Sequence, residues 1–167
     1  MSEYVEDNNN IVFQVFDEFA EFLNCVYYFH KSDDKFIRNM ALSSIRFHVR
    51  AIADFFQDVR HKDDDLIYTD ILDTKDKLSI SISSTMRTFI NKSTAHITNK
   101  RGNLSFDNKE HFDIIKQLVF TIKDFIDRCE TSLKPKYQSD FQVEDVEIQK
   151  AFIKERLIQI AECLINA

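Results

Sequence analysis

From Ile11 onward the apolar residues recur three and four positions apart: Val12, Phe16, Phe19, Leu23 and Val26, with a second track at Val15, Phe22 and Phe29. This period predicts a first helix over about residues 9–31, after a frayed start. Its apolar stripe is wider than one packing contact requires, which fits either a central helix touched on two sides or a subunit interface. Ser32 and Asp33 are of the residue types that cap a following helix. That second helix is expected over about residues 33–60, with a seam at Ile37, Ala41, Ile45, His48, Ile52, Phe55 and Val59.

The pattern then breaks. His61–Asp65 is a charged loop, Leu66–Leu72 is apolar without a period, and Leu78, Ile80 and Ile82 alternate as a short extended piece would. This connection is expected to be irregular and to cover the core. Periodicity returns in a third helix over about residues 81–97 (Ile82, Met86, Phe89, Ile90, Ile97). A loop at Thr98–Phe106 follows, with the only glycine, Gly102. Asp107 or Asn108 caps a fourth helix to about Glu130, carrying Phe112, Ile115, Leu118, Val119, Ile122, Phe125, Ile126 and Cys129. After a loop around Pro135, a fifth helix over about Val143–Asn166 turns Ile153, Leu157, Ile160, Ala161 and Leu164 inward. Its acidic first turn, Glu144, Asp145 and Glu147, complements the helix dipole. The expectation is one all-α domain over residues 1–167: a bundle of about five helices with an irregular connection between the second and third.

Composition narrows the picture. One glycine and one proline in 167 residues cannot supply the turns of a sandwich, barrel or propeller. They cannot build a glycine-rich phosphate loop or a dinucleotide fingerprint either. Cys25, Cys129 and Cys163 are far apart, odd in number and set in apolar-periodic segments, so they read as small hydrophobes in a reducing compartment. Met1–Asn10 is acidic and polar, unlike a signal peptide, and no apolar run reaches the length of a bilayer span. A cytoplasmic protein with no membrane partner is expected.

The net charge of −6 speaks against bulk nucleic-acid binding, but its distribution is uneven. Lys77–Phe106 contains no acid and carries Lys77, Arg87, Lys92, Lys100 and Arg101, a local +5 that leaves −11 on the rest. His96 lies in this segment. An imidazole there can act as general acid or base in RNA cleavage, or can bond the last carbonyls of its helix. His48, on the seam of the second helix, reads as a core histidine with satisfied nitrogens, and Arg50 with Asp54 as an ion pair along the helix. Asp63–Asp65 have no calcium-loop spacing and are expected to face water or cap a turn, without metal. Nothing calls for a cofactor.

The order Asn91-Lys92-Ser93-Thr94-Ala95-His96, followed by Arg101, resembles the HEPN superfamily of helical domains. Phe47–Phe56 looks like the helix that precedes this motif in some bacterial HEPN-like proteins, and the resemblance covers roughly Arg38 to Arg101. It implies a helical bundle, often a homodimer with motifs from two chains facing one cleft. Many members are metal-independent ribonucleases of toxin–antitoxin and defence systems; others bind RNA or protein partners without catalysis. Carried onto this chain, it implies His96 as the catalytic residue. Arg87, Asn91, Lys92, Lys100 and Arg101 become RNA contacts, with Arg46, His48 and Arg50 in support. The superfamily pattern places an arginine a few positions before the histidine; here that place is Ile90-Asn91-Lys92. Arg87 stands nine residues ahead of His96, half a turn out of phase on a continuous helix. RNA binding without efficient cleavage is therefore the expectation, with a non-catalytic protein-interaction module as the alternative.

Overall fold

The computed structural model describes residues 10–57, 60, 62–63, 65–73, 78, 80–84, 87–88 and 108–165. Four long helices are built from them: α1 (Ile11–Lys31), α2 (Lys35–Phe56), α4 (Asn108–Ser132) and α6 (Glu144–Ile165). Two one-turn helices lie between them, α3 (Tyr68–Ile71) and α5 (Gln138–Phe141). The fold is an all-α bundle.

α1 is the centre. Both of its apolar tracks are buried apart from Phe29, which is half-buried. α2 packs on one flank and α6 on the other. The width of the stripe is thus filled from within the chain. At its middle, Phe19 lies against Phe55, Phe56 and Phe125, with ring centroids 5.8, 5.6 and 5.6 Å away. Four of the sixteen phenylalanines meet here, because large rings fill the space between helices without needing a polar partner.

The caps explain the turns. Asn10 accepts the Phe13 N–H at 2.9 Å and donates to the Asp140 carbonyl at 2.9 Å, so one side chain starts α1 and ties it to α5. The cap of α2 is Asp34, which accepts from Phe36 and Ile37 at 2.7 and 3.3 Å. Ser32 and Asp33, expected in that role, stand ahead of it: Ser32 terminates α1, its N–H bonded to the Tyr28 carbonyl, and its hydroxyl accepts from Asp34 N–H.

The seam of α2 is rotated from the expected one. Ala41, Ile45, Val49, Ile52, Ala53, Phe55 and Phe56 are buried; Ile37 is exposed and His48 lies at the edge, with Val49 taking the inner place. Spacing by threes and fours admits both tracks, and the helix turns toward the more apolar one. Val59 lies outside the described residues.

α2 runs antiparallel to α1, with Arg38 over the Phe29 ring and His48 against Glu18. α4 also runs antiparallel to α1: Phe112 meets His30 and Phe125 meets Phe19. α2 and α4 are therefore parallel, and parallel neighbours need a long crossover. This is the physical reason for the irregular connection. Its Leu72, Leu78 and Ile80 are buried and Ile82 is half-buried. Leu72 bridges Leu133, Gln57 donates to the Ile80 carbonyl and Ser81 N–H donates to Gln117, so the connection closes the α2–α4 side. Of the third helix expected over residues 81–97, Ser81, Ile82 and Ser83 are not helical, being held in the connection instead, and Ser84, Arg87 and Thr88 are helical; the other residues of that stretch, the loop at Thr98–Phe106 and the frayed start lie outside the described residues. The loop expected around Pro135 is largely helical, a 3-10 turn at Pro135–Tyr137 running into α5.

α6 runs parallel to α1, with Gln149 bonded to Asp17 and Arg156 stacked over Tyr27 at 4.2 Å. Of its expected inward residues, Ile153 and Ile160 are buried, while Leu157, Ala161 and Leu164 are half-buried. They face the gap between α4 and α6, which nothing among the described residues closes.

Candidate nucleic-acid interface

From Lys35 through Ala53, α2 contains no acid and carries Lys35, Arg38, Arg46 and Arg50. Opposite its buried seam stand Phe36 and Phe47, 71% and 65% exposed, with Met40 between them. An α-helix brings residues 36, 40 and 47 onto one side, since each step is three to four residues or a multiple of it. Exposed aromatic rings and arginines on one acid-free stretch of helix offer stacking and phosphate contacts together. Phe36 and Phe47 fall outside the core period of α2, and that they are large and apolar there is the signal the sequence offers for this face.

Arg87 is placed at the C-terminal end of this helix. Its guanidinium bonds the Asp54 carboxylate and the Gln57 side-chain oxygen. Asp54 also accepts the Arg50 ion pair at 4.0 Å, one turn away, as expected. One carboxylate, the only acid of α2, thus stands between two arginines and joins Arg87 of the acid-free stretch 77–106 to the end of the helix. Arg46 is half-buried on the same helix.

His48 stands apart from these arginines. Its Nδ1 lies 2.8 Å from Glu18 Oε1, and the Cys25 side chain also acts on it. The Cys25 contact, then the Glu18 bond, outweigh partial burial and raise the imidazole to about 9. It is a half-buried residue at the edge of the seam, bonded through Nδ1, and it carries its proton at neutral pH. His30 is opposite in character: burial, then the nearby Arg38, lower its pKa, and its ring packs against Phe29 and Phe112.

The catalytic candidate His96 and the candidate contacts Asn91, Lys92, Lys100 and Arg101 lie outside the described residues. Around the acidic loop, Asp65 caps a turn by accepting the Lys62 N–H at 2.9 Å, and Arg60 grips both oxygens of Asp70 at 2.6 and 2.7 Å. Among the described residues no three His, Cys, Asp or Glu side chains gather as a metal site would need. Burial pushes the Cys129 thiol well up, suiting an inert packing role. No described helix is long and apolar enough to cross a membrane. Neither a known protein family, a curated protein nor a solved structure matches the chain.

Proposed function

We propose that the chain is a HEPN-like cytoplasmic module that binds single-stranded RNA without cleaving it efficiently. The observation that carries this reading is that Arg87, from a stretch of sequence without acids, is bonded to Asp54 and Gln57 at the end of α2, whose Lys35–Ala53 part is also without acids. Phe36 and Phe47 supply stacking planes; Arg46, Arg50, Lys92, Lys100 and Arg101 supply phosphate contacts. His96 is the residue that the resemblance would make catalytic, in a metal-independent cleavage of a defence or toxin–antitoxin kind. The arginine that should precede it is absent, which favours binding. A homodimer belongs to the same proposal on the strength of the resemblance, since the α1 stripe is filled within the chain.

The test is fluorescence anisotropy with a labelled single-stranded uridine oligomer at low ionic strength, run beside a cleavage assay on the same oligomer. Phe47→Ala is expected to weaken binding by roughly 5- to 100-fold, the range of one lost stacking contact. His96→Ala is expected to leave binding intact. Cleavage by the wild type that is lost in His96→Ala would make the protein a ribonuclease instead. Unchanged affinity in Phe47→Ala would remove α2 from the interface.

A further inference from the structure

We infer that the groove between α4 and α6 docks an amphipathic helix with acidic flanks, presented by a partner protein. The groove encloses about 700 Å³. Val119 and Ile126 from α4 and Leu157 and Leu164 from α6 form its floor. Phe120 and Ile158 rise at its edges, 57% and 65% exposed. From Lys154 to Leu164 it follows α6 for roughly 15 Å, the length of about three helical turns. A contiguous exposed apolar patch of this kind marks an interaction site.

The occupant follows from what the groove leaves uncovered and from its charge. A small molecule on the floor would leave the outward-standing Phe120 and Ile158 in water; a helix laid along the groove covers both. The charged side chains lining it are three lysines, Lys116, Lys123 and Lys154, and one acid, Asp127, on a protein whose net charge is −6. Lys123 is bonded to Asp127 at 2.7 Å, and Lys154 lies 3.6 Å from Glu130. Lys116 is exposed and forms no ion pair among the described residues. An acidic flank on the incoming helix matches Lys116, the lysine of this rim with no acid beside it among the described residues.

A second copy of the chain fits less well. Its exposed apolar helical stripe, Phe36, Met40 and Phe47, lies on the acid-free Lys35–Ala53 part of α2 and would bring arginines to lysines. Its acidic α6 start has Val143 and Ile148 exposed, but they are five positions apart and fall on different sides of the helix.

The experiment uses the full chain and a fluorescein-labelled, end-capped peptide of about sixteen residues, with leucines at helical spacing and glutamates on both flanks. A matched peptide carries lysines in place of the glutamates. Saturable binding of the acidic peptide at micromolar protein is expected, weakened at least about tenfold by Phe120→Asp or Ile158→Asp. Lys116→Glu should weaken it several-fold, and the lysine peptide should bind less tightly. Phe120→Leu should retain binding. Circular dichroism melts confirm that the variants are folded, which the exposure of both edge residues favours. Four results would overturn the inference: no binding of the acidic peptide, equal binding of the lysine peptide, occupation by dodecanoate alone, or a dimer in light scattering that Ile158→Asp splits.

Discussion

The imidazole of His48, bonded to an acid and acted on by a thiol, sets how the fold responds to pH. Its pKa rises from 6.5 to about 9 on folding, so the folded chain binds the proton more tightly. The stabilisation is complete below about 6.5 and is lost as pH rises through about 9. Glu18 is partly open to water, so screening reduces the contribution to roughly 1–3 kcal/mol. Melting curves of wild type should fall between pH 6.5 and 9, and Glu18→Gln should show a shallower fall; superimposable profiles would contradict the assignment. Phe19→Ala makes a different prediction. The ring is buried among three others, so its loss should cost roughly 3–5 kcal/mol in urea denaturation; a cost under about 1 kcal/mol would mean that the ring is not held in the core. Phe19 was legible as core from its spacing. His48 was legible only as a position, because Glu18 and Cys25 lie on another helix and nothing local connects them to it.

α1, α2, α4 and α6 were each expected close to where they stand, since amphipathic periods of 20 residues or so leave little freedom. Their ends were harder. Ser32, Asp33 and Asp34 are all able to cap, and which one does depends on where α1 stops, a matter settled by the packing of both helices. The cap of α1 carries more than its own helix. Asn10→Ala should remove the Phe13 N–H bond and the tie to Asp140 together, costing about 1–2 kcal/mol and lowering the melting temperature by several degrees. Asn10→Asp keeps the cap acceptor but cannot donate to Asp140, and should fall between the two. If Asn10→Ala melts like wild type, the link between α1 and α5 contributes nothing.

At the scale of the molecule, the parallel run of α2 and α4 governs the architecture, and periodicity alone could not show it. Direction and neighbourhood come from contacts such as Phe19 with Phe125 and His30 with Phe112, between residues far apart in the chain. The α4–α6 groove was hidden for the same reason: Leu157 and Leu164 read as ordinary core until the two helices are seen to stand apart. The acid-free stretch from Lys77 to Phe106 was plain in the sequence, but its link to α2 through Arg87 was not. Phosphate contacts from that stretch make salt the most direct probe. With those of Arg46 and Arg50, five neutralised phosphates predict a log–log slope of affinity against salt of about −3.5 for a single strand. Measured by anisotropy of a labelled uridine oligomer from 25 to about 200 mM salt, wild type should show this slope, and the Lys100→Ala, Arg101→Ala double variant should bind weakly with a slope shallower by about 1.4. No binding at the lowest salt, or the same affinity and slope in both proteins, would contradict the account.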